Sequence, residues 1–121
     1  MYFVIDLNKK KKDIRKFITV LENSIIKFLN IYNIKSKADK DKIGIWVNDK
    51  KIAAIGVRVS KWIAYHGCSI NICNDINQYK KIIPCGLDNS NITSVKKEGV
   101  RLVRNVDKNL KKIFYQMIKK F

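Results

Sequence analysis

A chain of 121 residues, 46% of them hydrophobic, carries enough apolar side chains for one core, which excludes a wholly disordered polypeptide and a large multidomain one. Its 26 Lys and Arg against 10 Asp and Glu give a formal charge of +16, a surface suited to acidic partners: nucleic acid, anionic membrane or acidic protein. Yet 22 of the 26 are Lys, and Lys, Ile and Asn together fill 54 positions, a bias that an AT-rich genome produces without selection for charge, so the charge is read first as composition and second as a partner preference.

In chain order, Tyr2 to Leu7 reads as a short buried strand, stopped by the basic run Asn8 to Lys12. Asp13 opens a helix over 13–32, with Ile14, Phe17, Ile18, Leu21, Ile25, Phe28, Leu29 and Tyr32 on one face and the Asp13 carboxylate capping the first turn. Residues 35–42 form a solvated loop. Ile43 to Val47 is a strand, Asn48-Asp49-Lys50 a turn, and Lys51 to Val59 the returning hairpin partner. Trp62 to Tyr65 and Ile70 to Cys73 extend the sheet as two strands separated by His66-Gly67. Residues 75–83 read as a short mixed segment stopped by Pro84, the only proline, and 86–92 as a loop before a short segment at Thr93 to Val95. From Asn105 the stripe Val106, Leu110, Ile113, Phe114, Met117, Ile118 and Phe121 predicts a second amphipathic helix with its lysines in water. One α/β (α+β) domain, 1–121, fits this order.

No apolar run approaches the roughly 18–20 residues that span a bilayer, and the first residues lack a basic stretch before an apolar one, so a cytoplasmic protein with no membrane contact is expected. Cys68, Cys73 and Cys85 contain no C-x-x-C pair, which suggests neither a disulfide framework nor a zinc ribbon, and a single histidine, His66, cannot build a multi-histidine metal site. Pro84-Cys85-Gly86 supports two readings: an accessible thiol on a chain bend, or a cysteine buried as a small hydrophobe. Cys68 and Cys73, which flank Ile70-Asn71-Ile72, look structural. His66 fits a general base or a hydrogen-bonded structural residue. Lys51 alone is a lysine beside a turn.

The ordered set is more specific than its parts. Lys51-Ile-Ala-Ala-Ile-Gly-Val-Arg58, Trp62, His66-Gly67, Asn71, Asp75, Ile83-Pro-Cys-Gly86 and Thr93-Ser94 resemble lipoyl(octanoyl) transferase, the lipoate–protein ligase B family, from about Ile5 to Gly99. The resemblance implies a mixed sheet with flanking helices, like the biotin/lipoate protein ligase catalytic domain. It implies that Cys85 takes an octanoyl group from octanoyl-acyl carrier protein as a thioester and passes it to a lysine of a lipoyl domain, such as those of 2-oxoacid dehydrogenase complexes or the glycine cleavage protein. Lys51 is then the cation that lowers the thiol pKa, and Ala54, Ile55, Gly56, Gly67, Cys68 and Ser69 bind the substrate, with Ser69 standing where the family usually has Ala. No metal or cofactor is implied, because the incoming thioester is already activated.

Only the C-terminal part of such a transferase is matched: the family's glycine-rich R-G-G-x-x-T-Y-H-G-P-G-Q segment has no counterpart in these 121 residues. That implies an N-terminally truncated catalytic domain and leaves as alternatives an inactive or split fragment, with a separate N-terminal half as partner. From another class, the +16 charge leaves a basic nucleic-acid-binding module as the rival, weakened by the scarcity of Arg.

Overall fold

The computed structural model describes residues 1–10, 12–39, 41–72, 92–100 and 105–121. Five strands form one antiparallel sheet: β1 (Tyr2–Asp6), β2 (Lys37–Ala38), β3 (Ile45–Val47), β4 (Lys50–Ser60) and β5 (Ile63–Ile70), in the spatial order β1-β5-β4-β3-β2. A parallel element enters through the isolated bridge between Lys51 and Ile92. Helices α1 (Ile14–Asn30) and α2 (Val106–Lys119) complete the described fold.

Helix α1 forms where its apolar stripe and its cap agree. The Asp13 carboxylate accepts from the Lys16 amide at 3.0 Å, and Phe17, Leu21, Ile25, Phe28 and Leu29 are fully buried. Helix α2 buries Leu110, Ile113, Phe114 and Ile118. Phe3 of β1 joins both helices to the sheet: its ring lies 5.6 Å from Phe17, edge on, and 5.2 Å from Phe114, stacked. Both helices thus cover the face that carries Phe3.

The opposite face is open among the described residues. Along β1, Tyr2 is 86% and Val4 77% exposed while Phe3 and Ile5 pack inward, so the strand expected to be buried is a one-sided edge strand. The strand expected to stop at Tyr65 runs on through His66-Gly67 to Ile70 as β5, with both residues inside it at φ 71° and 154°. The break read at this dipeptide does not occur because neighbours on both sides hold the backbone: Phe3 and Val57 flank His66, and Tyr2 and Gly56 flank Gly67. Of the second expected strand, Ile70 to Cys73, only Ile70 is in a strand; Asn71 and Ile72 are not, and Cys73 lies outside the described residues. The loop expected over 35–42 contains the short strand β2, paired to Ile45 and Trp46. The expected segment over 75–83, the stop at Pro84 and the loop over 86–91 lie outside the described residues.

Candidate active site

The six residues expected to bind substrate fall into three consecutive cross-strand pairs at the centre of the sheet: Ala54 with Ser69, Ile55 with Cys68, and Gly56 with Gly67. Side chains alternate between faces along each strand, and directly opposed residues share a face. Ala54, Gly56 and Ser69 are exposed on the open face, whereas Ile55 and Cys68 turn toward the helices. At Gly56 an added Cβ would meet nothing within 4 Å, so the space above it is free. Gly67 differs: a Cβ there would strike the Met1 carbonyl oxygen, so its missing side chain admits the chain's own first strand.

Lys51 reaches the open face by an irregularity. Ile45 pairs with Ala53, but Trp46 pairs with Lys51 and Val47 with Lys50, so Ile52 is an extra residue in β4. Strict alternation back from buried Ala53 would send Lys51 toward the helices; the bulge sends Ile52 inward instead and turns Lys51 to the side of Ala54. The Lys51 ammonium lies 5.9 Å from the centre of the Trp46 ring. That ring is fixed by its indole N–H, which donates to the Lys42 carbonyl at 3.1 Å.

Cys85 and Cys73 lie outside the described residues, as does any pairing of Cys85 with His66. The described ends that flank them converge on Lys51. The Asn71 amide donates to the Ile52 carbonyl at 2.9 Å, and the Thr93 amide to the Lys51 carbonyl at 2.9 Å. Val95 and Lys96 then donate to the Asn71 and Ile72 carbonyls at 2.8 Å each, and the Thr93 hydroxyl donates to a Glu98 carboxylate oxygen at 2.6 Å. Residues before and after 73–91 are therefore held to each other and to the start of β4.

Cys68 is buried, and burial pushes its thiol above the ordinary range, opposed in part by the N-terminal ammonium. Because the folded chain holds this proton more tightly than the unfolded chain, stability is unaffected below the unfolded thiol's titration near pH ~8.5 and declines as pH rises from there toward the folded value. Urea midpoints measured from about pH 8 to pH 10 should fall less steeply in Cys68→Ala than in the parent. Identical slopes would show that Cys68 does not titrate differently in the folded chain. His66 is exposed and rests its ring 4.8 Å from that of Tyr65, in a shallow recess lined by Tyr2, Phe3, Val4, Tyr65 and His66 on the β1–β5 side of the sheet.

Sequence reasoning gave no role to Gly44 and Trp46, which meet Lys51 directly. The available signal was their spacing of two in a strand, which puts both on one face. No group of three or more His, Cys, Asp or Glu suited to a metal occurs among the described residues, and none of their helices is long and apolar enough to cross a membrane.

Residues 1–117 match the family described as the lipoyl protein ligase A/B catalytic domain. The octanoyltransferase of Bartonella bacilliformis is 42% identical across 96% of this chain and 54% of its own length. That of Rickettsia bellii is 45% identical across 93% of this chain and 57% of its own. The chain thus spans between half and three fifths of these relatives. Among solved structures, biotin protein ligase from Aquifex aeolicus superposes with a TM-score of 0.77 at 20% identity, over 99% of this chain and 52% of that one. A lipoate-protein ligase A bound with ATP gives a TM-score of 0.77 at 12% identity, over 98% and 50%. These two likenesses bear on the fold, and they agree with the sheet and flanking helices described above.

Proposed function

The chain belongs to the lipoyl protein ligase A/B catalytic-domain family, and from that premise we propose that it carries the reaction centre of an octanoyltransferase, with Cys85 as nucleophile and Lys51 as the cation that favours its thiolate. In the first step the Cys85 sulfur attacks the carbonyl carbon of octanoyl-acyl carrier protein. The new carbon–sulfur bond forms as the bond to the carrier sulfur breaks, and the carrier leaves as a thiol after taking up a proton. In the second step a lysine amine of a lipoyl domain attacks the Cys85 thioester, an amide forms, the amine loses a proton, and the Cys85 thiolate is regenerated. A thiolate serves both steps, as nucleophile in one and leaving group in the other.

The main support is the convergence at Lys51: the described residues on both sides of the stretch that contains Cys85 bond to the backbone of Lys51 and Ile52. The uncrowded face above Gly56, bordered by Ala54 and Ser69, agrees with a surface along which an acyl chain could lie. Acyl carrier and lipoyl domains are the partners this reading implies, and a cytoplasmic setting follows from those partners.

The test is covalent capture. The 121-residue chain, alone and mixed with the preceding portion of an octanoyltransferase relative, is incubated with octanoyl-acyl carrier protein and mapped by mass spectrometry. An octanoyl adduct on Cys85 that disappears in Cys85→Ser is the expected result. No adduct in either mixture, or one confined to Cys68 or Cys73, would overturn the reading.

A further inference from the structure

We infer that Gly44 and Trp46 are positioning residues that seat the Lys51 ammonium on the open face of the sheet. The inference deepens the proposed function and rests on its assignment of Lys51. Three observations converge on it.

First, the bulge at Ile52 makes Trp46 the direct cross-strand partner of Lys51; without it, Val47 would oppose Lys51 and the lysine would point at the helices. Second, Gly44 is buried at φ +141°, and a Cβ built there would come within 2.6 Å of Lys51 Cε, 3.0 Å of the Ala53 carbonyl oxygen and 3.4 Å of Lys51 Nζ. The lysine stem therefore lies in the space that a Cβ at residue 44 would take, and a side chain there would displace the end of the lysine. Third, the ammonium ends 5.9 Å from the Trp46 ring centre, within the range of attraction between a cation and an aromatic face. Glycine below and indole beside leave a long, flexible side chain with few places to put its charge. A lysine free to sample all its rotamers would spend only part of its time near any one group. Restricting it raises the effective concentration of the charge at one point, which is what stabilising a nearby thiolate requires.

A chemical probe reads this without acyl transfer. Iodoacetamide alkylation of Cys85, followed by mass spectrometry of its peptide across a pH series, reports the pH at which the thiolate appears. In the parent that midpoint should lie below the free-thiol value of about 8.5. Gly44→Ala should move it upward toward the midpoint of Lys51→Met, because the nearest atom displaced is the far end of the lysine. Trp46→Leu should slow alkylation near neutral pH about 2–10-fold, and Trp46→Phe, which keeps an aromatic face, should recover most of that loss. The double variants Gly44→Ala/Lys51→Met and Trp46→Leu/Lys51→Met decide whether these residues act through the lysine: neither should shift the midpoint beyond Lys51→Met alone. The tryptophan pair answers the question even if Gly44→Ala does not fold.

An effect of Lys51→Met without any effect of the folded position-44 and position-46 variants would overturn this inference and leave the proposed function standing. A further shift of either substitution in the Lys51→Met background would also overturn it, as a role independent of the lysine. No effect of Lys51→Met itself would instead remove the assignment of Lys51 on which both rest.

Discussion

Lys51→Met should leave the chain folded yet slow acylation of Cys85 about 10–30-fold at neutral pH. A thiol that titrates at the ordinary pH of ~8.5 is only about 3% ionised at pH ~7, and losing a neighbouring cation can cost no more than that ratio in thiolate. The sign of the pH dependence separates this from a structural defect. A depressed thiol pKa raises the thiolate fraction only below the titration of an ordinary thiol, so the deficit should be greatest near pH ~7 and shrink as pH passes ~8.5. Lys51→Arg keeps a charge and should retain part of the rate, though the planar guanidinium cannot cross Gly44 as a methylene stem does. Initial rates of Cys85 acylation by octanoyl-acyl carrier protein, measured across that range, are the check. A deficit that stays constant with pH would mean that Lys51 orients substrate or backbone and does not tune the thiol.

Phe17→Ala should lower the free energy of unfolding by about 3–5 kcal/mol, a large share of the 5–15 kcal/mol typical of a domain. Phe17 is 0% exposed, and its ring lies 5.6 Å from Phe3, 6.4 Å from Phe114 and 6.0 Å from Phe121. It therefore links α1, the first strand and the chain's last residues in one cluster, and no single neighbour can move into the vacated volume without leaving another contact. Tyr115→Ala on α2 is the matched control: its side chain is 60% exposed, and the change should stay within about 0.5 kcal/mol. Urea unfolding followed by tryptophan fluorescence measures both. A loss under about 1.5 kcal/mol for Phe17→Ala would show that the aromatic cluster collapses around the gap and that α1 is held mainly by other contacts.

Helices were the most legible part of the chain in sequence because one local rule decides each of them. The stripe from Phe17 to Leu29 and the carboxylate of Asp13 both point to α1, and the structure uses both. Strand boundaries were less legible because long-range pairing sets them. Lys61-Trp62 forms the two-residue loop between β4 and β5 with both φ angles positive, 50° and 64°, a demand usually met by Asn-Gly, so Trp62 was read as strand. His66-Gly67 looked like punctuation and is instead interior to β5.

The candidate site divides in the same way. The family resemblance nominated Ala54, Ile55, Gly56, Gly67, Cys68 and Ser69, and the hairpin register sets them on three adjacent rungs, with Ile55 and Cys68 turned to the helix side. The side to which Lys51 points was not legible. A bulge has no fixed sequence signature, and one inserted residue, Ile52, reverses the face of everything before it. The spacing of two puts Gly44 on the face of Trp46 but does not say that a glycine is needed there, since that demand comes from a lysine seven residues later that returns on the next strand.

From Ala53 onward β4 is inherited as two interleaved records. Ile55, Val57 and Val59 pack with the interior, so their history is tied to compensating changes in the core. Ala54 and Gly56 have no such partners, and their history is free to follow whatever lies above the sheet. Lineages that keep this fold but take a different cargo are therefore expected to diverge first at the even numbers. The odd ones keep time with the core.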